Sequence, residues 1–227
     1  MKILVIDVGG QHVKVLASGH RVPRRIRSGT SMSAQNMVEA VQKLTADWRY
    51  DAVSIGYPGP VLHGKVVAEP HNLAPGWVGF DFGKAFGKPV KLINDAAMQA
   101  LGSYRGGRML FLGLGTGLGS ALIVDGVLEP MELAHLPYKR GRTYEDYLGV
   151  RGHARRGAKK WRASVEAVTQ ALRAALEAED VVIGGGGARQ LKKPPAGTRL
   201  SDNDNAFVGG FRLWQKHSPG RKAARDR

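Results

Sequence analysis

Apolar and polar positions alternate in short runs along the first hundred residues, and glycine or proline separates the runs. Residues 2–8 and 13–17 are apolar and flank Gly9-Gly10, which predicts a β-hairpin with a glycine turn. Residues 35–46 place apolar side chains at helical spacing and predict an amphipathic helix. Further along, the pattern predicts two strands and then a helix, over 51–61, 89–95 and 96–106.

A second pattern of strand, glycine turn and strand follows about a hundred residues later. Residues 110–124 repeat the plan of residues 3–17, which indicates a weak internal repeat. Trp161, Val165, Val168, Leu172 and Leu176 then fall on one face of a helix predicted over 159–178. Beyond it, residues 180–191 predict a strand, a glycine loop and the start of another helix, and residues 216–227 have no apolar period and predict a disordered tail.

The turn of the second hairpin is rich in glycine, which is typical of phosphate-binding loops of several kinds. The glycines are at positions 113, 115, 117 and 119. A dinucleotide fingerprint would need a third glycine at the position of Leu118 or Ser120, followed by a helix. The next residues are β-branched and lead to an Asp125-Gly126 turn, so they predict a strand, and no Gly-Lys-Ser/Thr ending of a P-loop is present. Two such hairpins facing each other could hold a phosphate chain with backbone N–H groups.

Composition narrows the class of protein. The chain of 227 residues is 43% apolar and contains no cysteine, which excludes disulfides and thiolate metal sites and favours a reducing compartment. The start lacks the features of a signal peptide and no long apolar run follows, so we expect a cytoplasmic protein with no membrane segment. Of the net charge of +15, most lies in residues 139–227, which hold 20 Lys/Arg and 9 Asp/Glu. Such a field favours polyanions or simply serves solubility.

These motifs together resemble the actin, hexokinase and Hsp70 superfamily. Asp7-x-Gly9-Gly10 is similar to its first phosphate motif, "LGTGLGSA" to its second, and "DVVIGGGGA" to its adenosine motif. Within it, "HNLAPGW", "INDAA" and "MELAHL" resemble the ROK family of sugar kinases and repressors, nearest to its polyphosphate/ATP glucokinase branch, over about residues 2–214.

The resemblance implies an α/β fold, the two-lobed actin-like (ribonuclease H-like) ATPase fold with mixed sheets and a central cleft. We predict an N-terminal lobe over 1–94, a C-terminal lobe over 95–215 and a basic tail over 216–227. The implied reaction moves a phosphoryl group from ATP, polyphosphate or both to the 6-hydroxyl of glucose or a similar hexose, with Mg²⁺ as cofactor and no zinc. A homodimer is also implied.

The resemblance assigns a role to several residues. Asp95, after a strand and at the start of a helix, is the predicted general base, although an aspartate there also fits a plain helix cap. Asp7 is predicted to orient Mg²⁺ through water, the alternative being a turn aspartate. The remaining roles fall into three sets: sugar binding by Asn72, Asn94, Glu132, His135 and Glu145; phosphate binding by Asp7, Gly9, Gly10, Gly115, Thr116 and Gly117; nucleotide binding by Gly184, Gly185 and Gly186.

A basic cluster starts the predicted helix over 159–178. Cations at a helix N-terminus oppose the macrodipole unless an anion binds there, so we predict a polyanion patch, the alternative being a solvated charged face. The patch is formed by Arg155, Arg156, Lys159 and Lys160.

Some residues depart from the family pattern. Ala134 stands where the family has glycine, and Gln11-His12 replaces a small Ser/Thr turn, which leaves a catalytically impaired sugar binder as an alternative. A regulator of the same family would have a helix-turn-helix ahead of the first phosphate motif, whose strand starts here at residue 2. A nucleic-acid-binding module would leave the phosphate motifs without a role, so we do not expect nucleic acid as a partner.

Overall fold

The computed structural model describes residues 1–202 and 204–215, and the predicted basic tail over 216–227 lies outside the described residues. The first half of the chain contains β1 (Ile3–Val8), β2 (His12–Ala17), β3 (Arg24–Arg27), α1 (Ala34–Leu44), β4 (Ala52–Tyr57), β5 (Val61–Leu62), β6 (Lys65–Val66), α2 (Phe82–Phe86), β7 (Val90–Asn94) and α3 (Asp95–Ser103). The second half contains β8 (Arg108–Leu114), β9 (Leu118–Val124), β10 (Val127–Met131), α4 (Tyr144–Leu148), α5 (Val150–Ala175), β11 (Asp180–Gly184), β12 (Arg199–Leu200) and α6 (Asn205–Arg212), with 3-10 helices at Leu133–His135 and Gly186–Gln190.

The chain forms two compact units, each built on a mixed sheet of five strands. The first unit holds Met1–Gly102 together with Asp204–Leu213, and its strand order is β3-β2-β1-β4-β7. The second unit begins at Ser103, and its strand order is β10-β9-β8-β11-β12. In both sheets the first three strands are antiparallel and the last three are parallel. The predicted α/β class with mixed sheets is confirmed, and the two predicted hairpins hold equivalent places in the two sheets.

Each unit has its own hydrophobic core, which the helical periodicity predicted in part. In the first unit the predicted face of α1 is buried through Met37, Val38 and Val41. In the second unit α5 buries Trp161 and Val165 in the same manner. Each helix therefore buries its apolar face in the hydrophobic core of its own unit.

The predicted lobe boundary after residue 94 is wrong, since the compact units divide after Gly102 and α6 returns to the first unit. The cause is close helix packing: a side chain on Gly102 would overlap the Asn205 carbonyl, and one on Gly209 would overlap the Met98 carbonyl. α6 also lies against the sheet, where Ser54 Oγ donates to the Gly210 carbonyl at 2.7 Å.

Two further predictions about helices need correction. The helix predicted over 159–178 is α5, which begins at Val150, ends at Ala175 and is interrupted at Gly157, where φ is 72° and ψ is 158°. The helix predicted to start after β11 and its glycine loop is a 3-10 helix that ends at Gln190. None of the helices in the described part of the chain combines the length and the apolarity that a membrane span requires.

Candidate active site

In the first unit, the residues predicted for chemistry gather at the carboxyl ends of parallel strands. Asp7 on β1 pairs with Gly56 on β4, and Gly56 pairs with Ile93 on β7, one residue before Asn94. A Cβ on Gly56 would lie 3.5 Å from Asp95 Cα and would overlap the end of the Met98 side chain. The glycine therefore lets the start of α3 lie close against the sheet edge that holds Asp7.

Asn94 and Asp95 form the junction between β7 and α3. Asn94 Oδ1 accepts from Ala97 N at 3.1 Å, and Asn94 Nδ2 donates to the Gly59 carbonyl at 3.0 Å. Asp95 Oδ1 accepts from Ala96 N at 2.7 Å, and the residue is partly exposed. Asn94 thus makes the hydrogen bond typical of a helix N-cap, to a backbone N–H three residues later. We call its two side-chain hydrogen bonds the Asn94 clamp, which fixes the backbone of Asp95.

Asp7 is the partly buried carboxylate of the first phosphate motif. Burial raises the pKa of Asp7 to about 6, and the nearby Lys14 ammonium opposes that rise. Lys14 is its partner across the β1-β2 hairpin. A carboxylate in this position suits Mg²⁺, which in proteins takes one or two carboxylate oxygens and leaves the rest of its shell to water and substrate phosphates.

The turn after Asp7 is held by short backbone contacts. Gly9 N donates to the His12 carbonyl at 3.0 Å, and Ser28 Oγ donates to the Gly9 carbonyl at 2.6 Å. A Cβ on Gly10 would meet Asn72 Cβ at 3.3 Å, so the structure brings the predicted sugar ligand Asn72 beside the predicted phosphate turn. Ser28 was not predicted, because only the pairing of β2 with β3 brings it to this turn.

Glu69 organises the loop that contains Asn72, and sequence reasoning missed it. Its carboxylate accepts three backbone N–H groups, from Gly76 and Trp77 at 3.1 Å and from Val78 at 3.2 Å. These hydrogen bonds hold the pKa of Glu69 below its ordinary value. An acidic residue ahead of a proline- and glycine-rich loop was the only signal available in the sequence.

In the second unit, the glycine loop between β8 and β9 lies against the junction of α4 and α5. Gly115 N donates to the Gly117 carbonyl at 3.1 Å, and Val150 N donates to the Gly115 and Thr116 carbonyls at 3.1 and 3.3 Å. A Cβ on Gly149 would lie 2.7 Å from the Thr116 carbonyl oxygen. Gly115 and Thr116 are exposed at the tip, where a ligand can reach them.

The residues of the second unit that are predicted to bind the sugar lie close enough for their charges to interact. Glu132 Oε2 lies 4.0 Å from His135 Nε2 across a 3-10 turn. Burial raises the pKa of Glu132, the charge of His135 opposes that rise, and the charge of Glu145 adds to it. Glu145 pairs with Arg151 at 3.6 Å, and its carboxylate lies against Gly117. Over residues 1–202 and 204–215 no group of three or more His, Asp and Glu could hold a metal ion.

The glycines predicted for nucleotide binding differ in their surroundings. Gly184 is buried in β11, paired with Gly113. Gly185 has φ of 79°, and a side chain there would overlap the Leu114 carbonyl. Gly186 is exposed and has open space where a Cβ would be. The first two therefore support the end of β8, and Gly186 offers accessible backbone.

Of the predicted polyanion patch, the structure brings Arg155, Arg156 and Lys160 together around Tyr147 and leaves Lys159 outside that cavity. Lys139 and Arg140, which were not predicted, line the same cavity.

The comparisons identify the class of protein. The model of the ROK family matches residues 3–129, and the chain belongs to this family. The match spans the first phosphate motif, Asp95 and the second glycine loop.

The chain is also similar to individual proteins and to a solved structure. Over 213 residues, the chain is 30% identical to a polyphosphate glucokinase of Mycobacterium tuberculosis, covering 83% of this chain and 78% of that protein. It is 32% identical to the bifunctional enzyme NanE/NanK of Brucella melitensis over 143 residues, which are 56% of this chain and 27% of the longer enzyme. The inorganic polyphosphate/ATP-glucomannokinase of Arthrobacter sp. strain KM superposes with a TM-score of 0.76 at 24% identity, covering 92% of this chain and 96% of that one, which shows the two-lobed fold.

Proposed function

We propose that this chain is a hexose kinase that transfers a phosphoryl group from polyphosphate, ATP or both to the 6-hydroxyl of glucose or a similar hexose. The observation that carries the proposal is the placement of Asp95, held by the Asn94 clamp beside Gly56 and at the same sheet edge as Asp7. The names of the relatives, a polyphosphate glucokinase and a polyphosphate/ATP-glucomannokinase, agree with it.

In the proposed reaction Asp95 accepts the proton of the sugar hydroxyl as that oxygen attacks the terminal phosphoryl group, and the bond from that phosphorus to the bridging oxygen breaks so that the shortened donor leaves. Asn94 holds the backbone of Asp95, since both ends of its amide are engaged with the main chain. The sugar would be held through its other hydroxyls by Asn72, Glu132, His135 and Glu145. Carboxylates accept hydrogen bonds from vicinal hydroxyls, and amide and imidazole groups both accept from them and donate to them.

The phosphate side of the reaction would use the two glycine turns. Exposed backbone at Gly10 and at Gly115-Thr116 can approach phosphate oxygens closely because no side chain intervenes at the glycines. Gly186 would serve the nucleotide when ATP is the donor. Asp7 would hold Mg²⁺ through water, and the ion would neutralise charge on the transferred group.

The departures from the family pattern are compatible with activity. Ala134 is 2% exposed and packs in the second core, so its methyl group does not project into solvent beside His135. The Gln11 carbonyl accepts from Ser28 N at 3.0 Å, and the His12 carbonyl accepts from Gly9 N, so this turn is closed by main-chain bonds. These contacts favour the kinase over a catalytically impaired sugar binder.

The test is an assay of the wild-type chain with Mg²⁺, a panel of hexoses, and ATP or long-chain polyphosphate as donor. We expect formation of a hexose 6-phosphate that requires the divalent ion. Absence of sugar phosphate with every donor would refute the proposal. Light scattering on the same protein tests the proposed homodimer, since a monomer at assay concentration would contradict it.

A further inference from the structure

A basic cavity of about 410 Å³ lies within the second unit. Its lining consists of Lys139, Arg140, Tyr147, Arg155, Arg156 and Lys160. A second cavity of about 380 Å³ shares four of these residues and adds Arg142. We call the combined lining the cation pocket.

Local structure assembles the cation pocket from three segments. The turn before α4 supplies Lys139 and Arg140, with Arg140 at a φ of 56°. The interruption of α5 at Gly157 separates the two arginines from Lys160 along the helix. The guanidinium of Arg156 lies 4.4 Å from the centre of the Tyr147 ring and its Nη1 donates to Ser164 Oγ, so this cation is fixed in place.

The cations of the cation pocket have no close carboxylate partner in the described part of the chain. Among the described residues, none of its six cations lies within 4.0 Å of a carboxylate oxygen. Hydrogen bonds from Thr143 are the main cause that lowers the pKa of Asp146, with Thr143 N donating to Asp146 Oδ2 at 3.0 Å, and the charges of Arg142 and Arg155 add to the effect. Six like charges in a small volume repel one another, and an anion bound among them would relieve that repulsion.

The chemistry of the lining selects the kind of anion. Single-stranded nucleic acids bind by stacking bases on exposed aromatic rings beside a basic groove. Tyr147 is only 7% exposed, because Arg156 lies over its ring and the Tyr138 ring packs against it at 4.9 Å. The cation pocket therefore offers charge without a stacking surface, which suits a chain of phosphate groups with no bases.

We infer that the cation pocket binds the non-reacting part of a linear inorganic polyphosphate chain whose reacting end lies at the Gly115–Gly117 turn. This inference rests on the proposed function, because it takes the ligand to be the phosphoryl donor. It adds a second contact for the donor, remote from the transferred group, and so a reason to select long chains over short ones.

Helix α4 connects the cation pocket to the glycine turn. Its Glu145 contacts Gly117, and its Tyr147 lines the cation pocket. Residues two apart on a helix point to nearly opposite sides, so the two places are separated by about one helix diameter, roughly 10 Å. A donor of two or three phosphates is too short to reach from the glycine turn into the cation pocket, whereas a long chain can occupy both places.

The test compares a pocket variant with a matched control by direct binding of fluorescent long-chain polyphosphate in the absence of sugar. The pocket variant is K139Q/R140N/K160Q, whose three side chains make no ion pair in the described part of the chain, and asparagine tolerates the positive φ at residue 140. The control, R21Q/K43Q/R49Q, removes the same charge from exposed positions of the first unit.

We expect the pocket variant to bind long-chain polyphosphate about tenfold more weakly or worse. The slope of log affinity against log salt should fall in magnitude by about two, because each cation that is removed lowers the number of released counterions by less than one. The affinity for tripolyphosphate should fall much less in the pocket variant. The control variant should bind long-chain polyphosphate about as tightly as the wild type does. Affinity equal to that of the control would overturn the inference even if the wild type phosphorylates hexose. Loss of binding supports the pocket whether or not hexose is phosphorylated, so the two proposals fail separately. Equal binding of single-stranded RNA, lost in the same variant, would also overturn it.

Discussion

The carboxylate of Glu145 fills the space that a side chain on Gly117 would need. The contact ties the second glycine turn to α4, and the Arg151 guanidinium lies 3.6 Å from the other oxygen of the same carboxylate. In the proposed kinase, Glu145 binds the sugar and the turn binds the donor. Gly117 therefore couples the geometry of the two substrates within one unit.

Replacing Gly117 with alanine should push Glu145 away and weaken sugar binding. We expect the G117A variant to raise the KM for hexose about tenfold, the loss of about one charge-assisted hydrogen bond. G115A is the matched comparison, because a Cβ on Gly115 meets nothing within 4 Å in the described structure and points to the exposed tip of the turn. That variant should raise the KM for the donor instead. Steady-state kinetics with each substrate varied separates the two, and an unchanged hexose KM in G117A would contradict this role of Glu145.

Replacing Glu69 with glutamine should loosen the loop that contains Asn72. The neutral amide keeps the shape but weakens three bonds that the carboxylate accepts from backbone N–H groups. Hydrogen exchange at Gly76, Trp77 and Val78 should be faster in E69Q than in wild type. The stabilisation from Glu69 is present above the ordinary pKa of a glutamate and is lost as pH falls through the lowered pKa of the folded state. Unchanged exchange at these three amides would refute the clamp.

Asp7 should reduce stability at neutral pH. Its pKa of about 6 in the folded protein lies above the ordinary value of 3.8, so the native state binds the proton more tightly than the unfolded state does. The folded state therefore loses stability as pH rises from about 4 to about 6. Asp7→Asn should raise the free energy of unfolding by about 1–2 kcal/mol at pH 7.5 and by little at pH 4, while abolishing Mg²⁺-dependent turnover. Denaturant titrations at both pH values measure this, and a difference that is the same at both would contradict it.

Much of the first unit was accessible from sequence, because its signals are local. The hairpin around Gly9-Gly10, the buried face of α1 and the junction of strand and helix at Asp95 each follow from a period or a turn within about twenty residues. The family motifs then give these elements an order, and the structure places Asp7 and Asn94 at one sheet edge.

The parts that sequence reasoning missed depend on contacts distant along the chain or on single glycines. α6 returns to the first unit because Gly102 and Gly209 allow two helix backbones to touch, and no periodicity reports a contact between residues a hundred apart. Gly157 lies just before the helical pattern predicted over 159–178, so that pattern does not show that α5 begins at Val150 and continues past this glycine. Lys139 and Arg140 line the cation pocket because their turn contacts α4, where the Tyr147 hydroxyl donates to the Lys139 carbonyl at 3.4 Å.

The most direct test of the account is the rate of phosphoryl transfer in Asp95→Asn under single-turnover conditions. Asparagine matches the shape of aspartate and can still accept from Ala96 N, so helix α3 and hexose binding should be preserved. Without a group to take the hydroxyl proton, the rate with either donor should fall by about 10²–10⁴-fold, while hexose affinity, measured by calorimetry, changes by less than about threefold. A rate within a few fold of wild type, at preserved hexose affinity, would contradict the assignment of Asp95 as the general base.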